Sequence, residues 1–364
     1  MAGIIYRPDL DEARARLAAW WNGEDIGRPA MQIHIVPDAP VEDPGLPPAM
    51  PRPDGWVTDY STTDYDYRVN IARRAFVDRM CMAEAIPVVA PDVGPNTLAL
   101  YLGCKGVEMP GTVWFKSFIH DPEPVVPEFK FDPDNFYWKF TSRLAMDLAR
   151  FGKGRFQQQF PDFIEGLDTL AAMRGSERLL FDLLERPEWV HACLDRITDV
   201  YFEYYDRFYE IMKDDVGGST YWCWAPGRMA KFQCDFSAMI SPAMYREFML
   251  PRLRKMVSKV DHCIYHLDGP DAVRHHGMLL EIEDLDMIQW IPGDGAAPAW
   301  DPCWWPLMHE IVDAGKKIMI GVYSTDDILA LKREFGRSFH NFLLGCYYRM
   351  ERSEAERLIS NLER

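Results

Sequence analysis

Apolar residues recur along this 364-residue chain at two spacings, and the switch between them outlines a run of helices and strands. Residues 9 to 21 (DLDEARARLAAWW) put Leu17, Trp20 and Trp21 on one side of a helix that Asn22-Gly23 ends. Ala30 to Val36 alternates as a strand does, with Gln32 and His34 on one face and Met31, Ile33 and Ile35 on the other. Residues 37 to 56 carry proline and acid without periodicity and predict a surface loop. The pattern then predicts a helix over Tyr65 to Met82, a strand over Ile86 to Ala90 and a turn at 92 to 96. It goes on with a short helix over 97 to 103, a strand over Thr112 to Phe118 and a proline-dense insertion over 122 to 133. Helices follow at Phe136 to Phe151, Leu167 to Arg174, Glu177 to Glu185 and Pro187 to Met212, with a strand at Arg155 to Phe160.

From Gly217 onward, strands at Ser219 to Trp224, Cys263 to Asp268, Met287 to Ile291, Lys317 to Gly321 and Phe342 to Cys346 alternate with helical stretches. Asp235 to Ile240 reads as a connecting loop, Ser241-Pro242 begins a helix, and 353 to 362 closes the chain as another. Strand–helix alternation of this kind argues for a parallel sheet with right-handed crossovers. The predicted class is α/β: a (β/α)8 TIM barrel with an N-terminal helical elaboration and long loop insertions. One domain is expected over 1–364, with 1–29 as a helical extension and 30–364 as the barrel. No G-x-G-x-x-G follows a strand, so a dinucleotide site is not expected.

Composition narrows the picture further. A net charge of -16 argues against a nucleic-acid surface. No apolar run reaches the roughly 18 to 20 residues that cross a bilayer, and the N-terminus moves straight into a charged helix, so a cytoplasmic protein is expected. The eight cysteines are scattered, none in C-x-x-C spacing, and reduced thiols are the default.

The candidate chemistry gathers at Cys263-Ile264-Tyr265-His266-Leu267-Asp268-Gly269-Pro270. His266 and Asp268 lie two apart on a strand and face one side, at the C-terminal end where a parallel barrel keeps its chemistry. The plainer alternative is that His266 caps a turn and Asp268 caps the helix after it. Trp222, Trp224 and Trp290 stand near strand ends and suit a pocket wall. His34, His120 and Tyr323 are further acid–base candidates, each of which has a structural reading beside the catalytic one.

From about residue 155 onward the chain resembles the uroporphyrinogen decarboxylase-like superfamily. The phrases that carry the likeness are PDFIEGLDTLAAMRGSERLLFDLLERPEWV, ISPAMYREFMLPRLRKM and YHLDG, with strands at IQW, KIMIG and FLLGC in matching order. The arginine-rich N-terminal phrase of the true decarboxylases is absent. The corrinoid-linked methyltransferase branch carries His-x-Cys and a later Cys as zinc ligands. His266, Asp268 and Cys346, the last standing 78 residues after Asp268, fall at those positions, with Asp268 in place of the first Cys. Zinc accepts imidazole, carboxylate and thiolate, so the resemblance implies a zinc site of His266, Asp268 and Cys346 with one open position.

The resemblance therefore implies a zinc-assisted methyltransferase acting on a small molecule, with methylcobalamin carried by a separate corrinoid protein. The chain's own D-x-H-x-x-G cobalamin phrase is absent. A homodimer is admitted, and no nucleic-acid or membrane partner is expected. Two alternatives stay open. One is a metal-independent decarboxylase or lyase acting on a small carboxylate, with Asp268 handling the proton and Arg228 or Arg349 as anion clamp. The other is a non-catalytic barrel that binds a ligand.

Overall fold

The computed structural model describes residues 3 to 363 apart from Pro40 and Pro122. The predicted class holds: the protein is a TIM-barrel-like α/β fold. We label its parallel strands β1 (Ala30–Val36), β2 (Val88–Val89), β3 (Gln157–Gln158), β4 (Met229–Gln233), β5 (His262–Asp268), β6 (Met287–Ile291), β7 (Lys317–Val322) and β8 (Phe342–Cys346). Strands β4 to β8 pair with their chain neighbours, and β8 returns to pair with β1. Strands β2 and β3 pair with each other in a two-residue ladder. Backbone bonds bridge the remaining gaps: Glu84 N–H donates to the Met31 carbonyl at 2.8 Å, and Phe160 N–H to the Thr220 carbonyl at 3.1 Å.

The register explains which residues face inward. Gln233, His266, Gln289 and Met319 lie side by side across β4 to β7. Gly321, Gly345 and Gln32 continue that face across β7, β8 and β1. The other face packs under the helices, as Phe232 does against Tyr201 of the helix Pro187–Met212. Both faces of the strands are covered, which is why they read as nearly continuous apolar runs. One buried core cluster runs from Tyr6 to Leu362.

Several predicted elements differ from those observed. The helix expected over 65 to 82 ends at Arg73, and Met80–Ala83 is instead a strand antiparallel to β1. Thr112–Lys116 belongs to a hairpin with Lys105–Met109, outside the barrel. Ser219–Tyr221 forms a small antiparallel hairpin with Cys223–Ala225. The barrel position expected there is filled by Met229–Gln233, a stretch the pattern did not mark. No described helix is long and apolar enough to cross a membrane.

Candidate active site at the carboxyl end of the barrel

Alternation along β5 puts Ile264, His266 and Asp268 on the lumen face, where His266 meets Gln289 of β6 and Gln233 of β4. His266 Nδ1 lies 2.6 Å from Gln289 Oε1. A carboxamide oxygen only accepts, so this bond places the ring proton on Nδ1 and leaves the Nε2 lone pair free. Nε2 lies 3.9 Å from Asp268 Oδ2. Asp235 completes the group: one ligand atom each from Asp235, His266 and Asp268 lie within 4.8 Å of one another. Burial, and next the Lys231 ammonium, push the His266 pKa down and keep the imidazole neutral, while burial pushes the Asp268 pKa up. The plainer reading of Asp268 does not hold. Gly269, in the left-handed region at φ +82°, precedes the turn of helix that begins at Pro270, and no side chain caps that turn.

Asp235 is positioned from two directions. Its carboxylate accepts from Gln233 Nε2 at 2.9 Å. Its backbone N–H and that of Phe236 donate to Asp168 at 2.8 and 2.7 Å. Burial, and then repulsion from Asp235, push Asp168 up to about 7. Behind them Glu165 accepts the Gln233 N–H at 2.8 Å, and burial pushes its pKa up to about 8.

Lys231 is fully buried on β4. Its Nζ lies 2.7 Å from Asp162 Oδ1 and also bonds Gln233 Oε1. Tyr221 donates to the same Asp162 oxygen at 2.8 Å, and Asp162 N–H donates to Asp92 Oδ1 at 2.6 Å. Trp222 forms the wall between Lys231 and His266. Its ring stands edge-on to the His266 ring at 5.4 Å, and Lys231 Nζ lies 5.3 Å from the indole. Its backbone has φ +59°, a strained conformation for a bulky residue. Gln32 Nε2 holds the Trp222 carbonyl at 2.6 Å, and Gln159 Oε1 accepts its N–H at 3.3 Å.

Of the residues expected here, the structure brings together His266, Asp268 and Trp222. Cys346 stands outside the group that Asp235, His266 and Asp268 form. It pairs with Val322, one residue out of phase with the lumen-facing Gly345 and Gly321, and it is buried. Trp290 is out of phase with Gln289 for the same reason and packs fully buried against Trp304 at 4.9 Å. Trp224 lines a cavity of about 200 Å³ with Trp222, Gln32 and His34, and its Nε1 donates to Asp214 at 2.7 Å. Arg228, just before β4, pairs with Asp206 at 2.6 Å and is at the amino end. His34 and Arg349 line a cavity of about 340 Å³ with Cys346 and Tyr347. Tyr323 is exposed, its ring 5.8 Å from that of Tyr347. His120 is on the surface beside Arg178 at 2.8 Å.

Sequence reasoning missed Lys231, Gln233, Asp235, Asp162 and Gln289. The signal was present in MAKFQCD, where Lys231, Gln233 and Asp235 repeat at i, i+2, i+4 and extend the spacing that singled out His266 and Asp268.

A TIM-barrel-like fold with polar side chains converging at its carboxyl mouth defines the class of molecule. Among solved structures, a methyltransferase from Methanosarcina mazei shares this fold. Its TM-score is 0.57 and its identity 12%, over 96% of this chain and 98% of that one. At that identity the likeness is one of fold. No protein-family model and no curated protein sequence matches the chain.

Proposed function

We propose that the protein is a metal-dependent methyltransferase acting on a small molecule, with the methyl group carried by the cobalt of a separate corrinoid protein. The observation that carries this reading is the convergence of Asp235, His266 and Asp268 with the His266 ring fixed by Gln289. Histidines that bind metals are commonly held in this way through their second nitrogen. An imidazole and two carboxylates suit zinc with an open position, and equally the harder divalent ions. Asp235 takes the place that the resemblance gave to Cys346. An ion held by Asp235, His266 and Asp268 would supply Lewis acidity toward the group that exchanges the methyl. The protein's own residues do the rest. Gln289 holds the imidazole, and Asp168 fixes the Asp235 loop. Lys231 with Asp162 sets a buried dipole beside the site, and Trp222 shields it from water. The shared fold with a methyltransferase supports the same reading.

The test is elemental analysis of protein purified without chelator, followed by methyl transfer from methylcobalamin. About one divalent ion per chain is expected, and His266→Ala should abolish both binding and transfer. A wild-type chain that binds no divalent ion would sink the proposal. Of the two clamps that the decarboxylase reading offered, Arg228 sits at the far end of the barrel, and Arg349 lines the cavity with His34 and Tyr347.

A further inference from the structure

Among the described residues five arginines are buried: Arg7, Arg14, Arg28, Arg68 and Arg174. Four of them have a carboxylate within 4.0 Å: Asp9 for Arg7, Asp214 for Arg14, Glu84 for Arg28 and Asp182 for Arg174. Arg68 has none among the described residues, although it is only 6% exposed. Its Nη2 donates to the Asp92 backbone carbonyl at 2.5 Å, and its Nε is buried without a partner. Asp92, Asp59 and Glu108 act on it only from a distance, and burial outweighs them, holding the guanidinium below its ordinary pKa. Burial, and next Asp162, push the Asp92 pKa up to about 7, so near neutral pH Asp92 supplies only part of a counter-charge.

A buried cation without a counter-charge is costly, and a purely structural role does not explain keeping one. The surroundings supply a reason. Arg68 lines a cavity of about 420 Å³ together with Thr58, Asp59, Tyr60, Val88, Asp92 and Gly111, and neither carboxylate of that wall forms an ion pair with it. That volume is in the range of small-molecule sites. The cavity also adjoins the catalytic mouth: Asp92 accepts the Asp162 N–H, and Asp162 pairs with the lumen Lys231.

We propose that Arg68 is the receptor for the acid group of a small organic anion that binds in this cavity, its carboxylate taking the free guanidinium edge. A guanidinium presents a planar fork matched to carboxylate oxygens, which a lysine does not. The inference concerns binding and stands independently of metal and of methyl transfer.

Thermal shift and calorimetric titration of the full chain with propionate and with inorganic phosphate test it, with and without prior chelation. Propionate is expected to raise the melting temperature of the wild type. Arg68→Lys should weaken that binding by about tenfold or more, because one charge-assisted bond is lost. Arg68→Met should abolish it while melting no lower than the wild type in the absence of anion, since it removes an unpaired buried charge. A response to phosphate as well as propionate widens the site to oxyanions in general and upholds the role of Arg68. Absence of any response in the wild type, or an undiminished response in both variants, overturns the proposal.

Discussion

The two ends of the barrel treat buried charge in opposite ways. At the amino end, Arg28 and Glu84 form two bonds of 2.7 and 2.9 Å, and Glu84 also accepts from Arg16 and the Met31 N–H. Arg14 there meets both Asp214 and Asp215 at 2.9 Å. Those partners, the Arg28 bonds foremost, hold the Glu84 carboxyl below its ordinary pKa against the pull of burial. At the carboxyl end, Asp92, Glu165 and Asp168 are pushed upward by burial, and Arg68 has no ion pair among the described residues. Cations and carboxylates are matched at one end and left partly unmatched at the other. Pairing of this kind stabilises the amino end, and in the function proposed above the unmatched end is the one that meets ligands.

The sharpest way to break this comparison is to unmatch the buried Lys231–Asp162 pair at the carboxyl end. Asp162→Ala leaves Lys231 buried without a counter-charge and should cost about 3–5 kcal/mol in denaturant unfolding. A loss under about 1 kcal/mol would mean that water or another carboxylate takes over. Next in size, Gln289→Leu frees the His266 ring and should weaken divalent-ion binding by about 10- to 100-fold in competition with a chelator. Unchanged affinity would remove Gln289 from its orienting role.

Acidity sharpens the comparison further, because Glu84 and Glu165 have shifts of opposite sign. The lowered pKa of Glu84 adds stability above the ordinary value of 4.5, lost as pH falls through its folded value. Glu165 keeps its proton in the folded state up to about 8, so the folded chain binds more protons and stability falls as pH rises from 4.5 to about 8. Glu165→Gln should flatten that decline in melting temperature, and an unaltered profile would show that Glu165 does not titrate there. The smallest effect belongs to Cys346→Ser. With its sulfur outside the Asp235–His266–Asp268 group, the change should cost about 1 kcal/mol of stability and leave metal affinity as it was. A drop in metal affinity would restore Cys346 as a ligand.

The amino-acid pattern carried most of the barrel's second half. Strands β5 to β8 are short apolar runs ended by turn residues, and alternation placed His266 and Asp268 on one face. Strand β4 escaped because MAKFQ lacks β-branched residues and buries a lysine, both contrary to strand propensity and to the usual exposure of lysine. The helix from Tyr65 was drawn too long because neither glycine nor proline stands between Arg73 and Met80 to mark its end. In the site, His266 and Asp268 were legible because one strand supplies both. Asp162 and Glu165 were not, since their partners lie in another part of the chain, 68 residues away for Glu165 and Gln233. The likeness in sequence selected Cys346 by position along the chain, and strand phase decides which way such a residue faces.

The Lys231–Asp162 pair also bears on how the chain comes to fold. Strand β4 buries Lys231 completely, and its counter-ion is supplied by the stretch just after β3. The well-paired strands from Met229 onward therefore cannot close around an unpaired ammonium without a cost of several kcal/mol. Synthesis runs from the amino terminus, so Asp162 leaves the ribosome before Lys231 does, and the later half is made with its counter-charge already waiting. A fragment that begins beyond residue 165 would have every strand from β4 to β8 and still lack the carboxylate that lets β4 go inside.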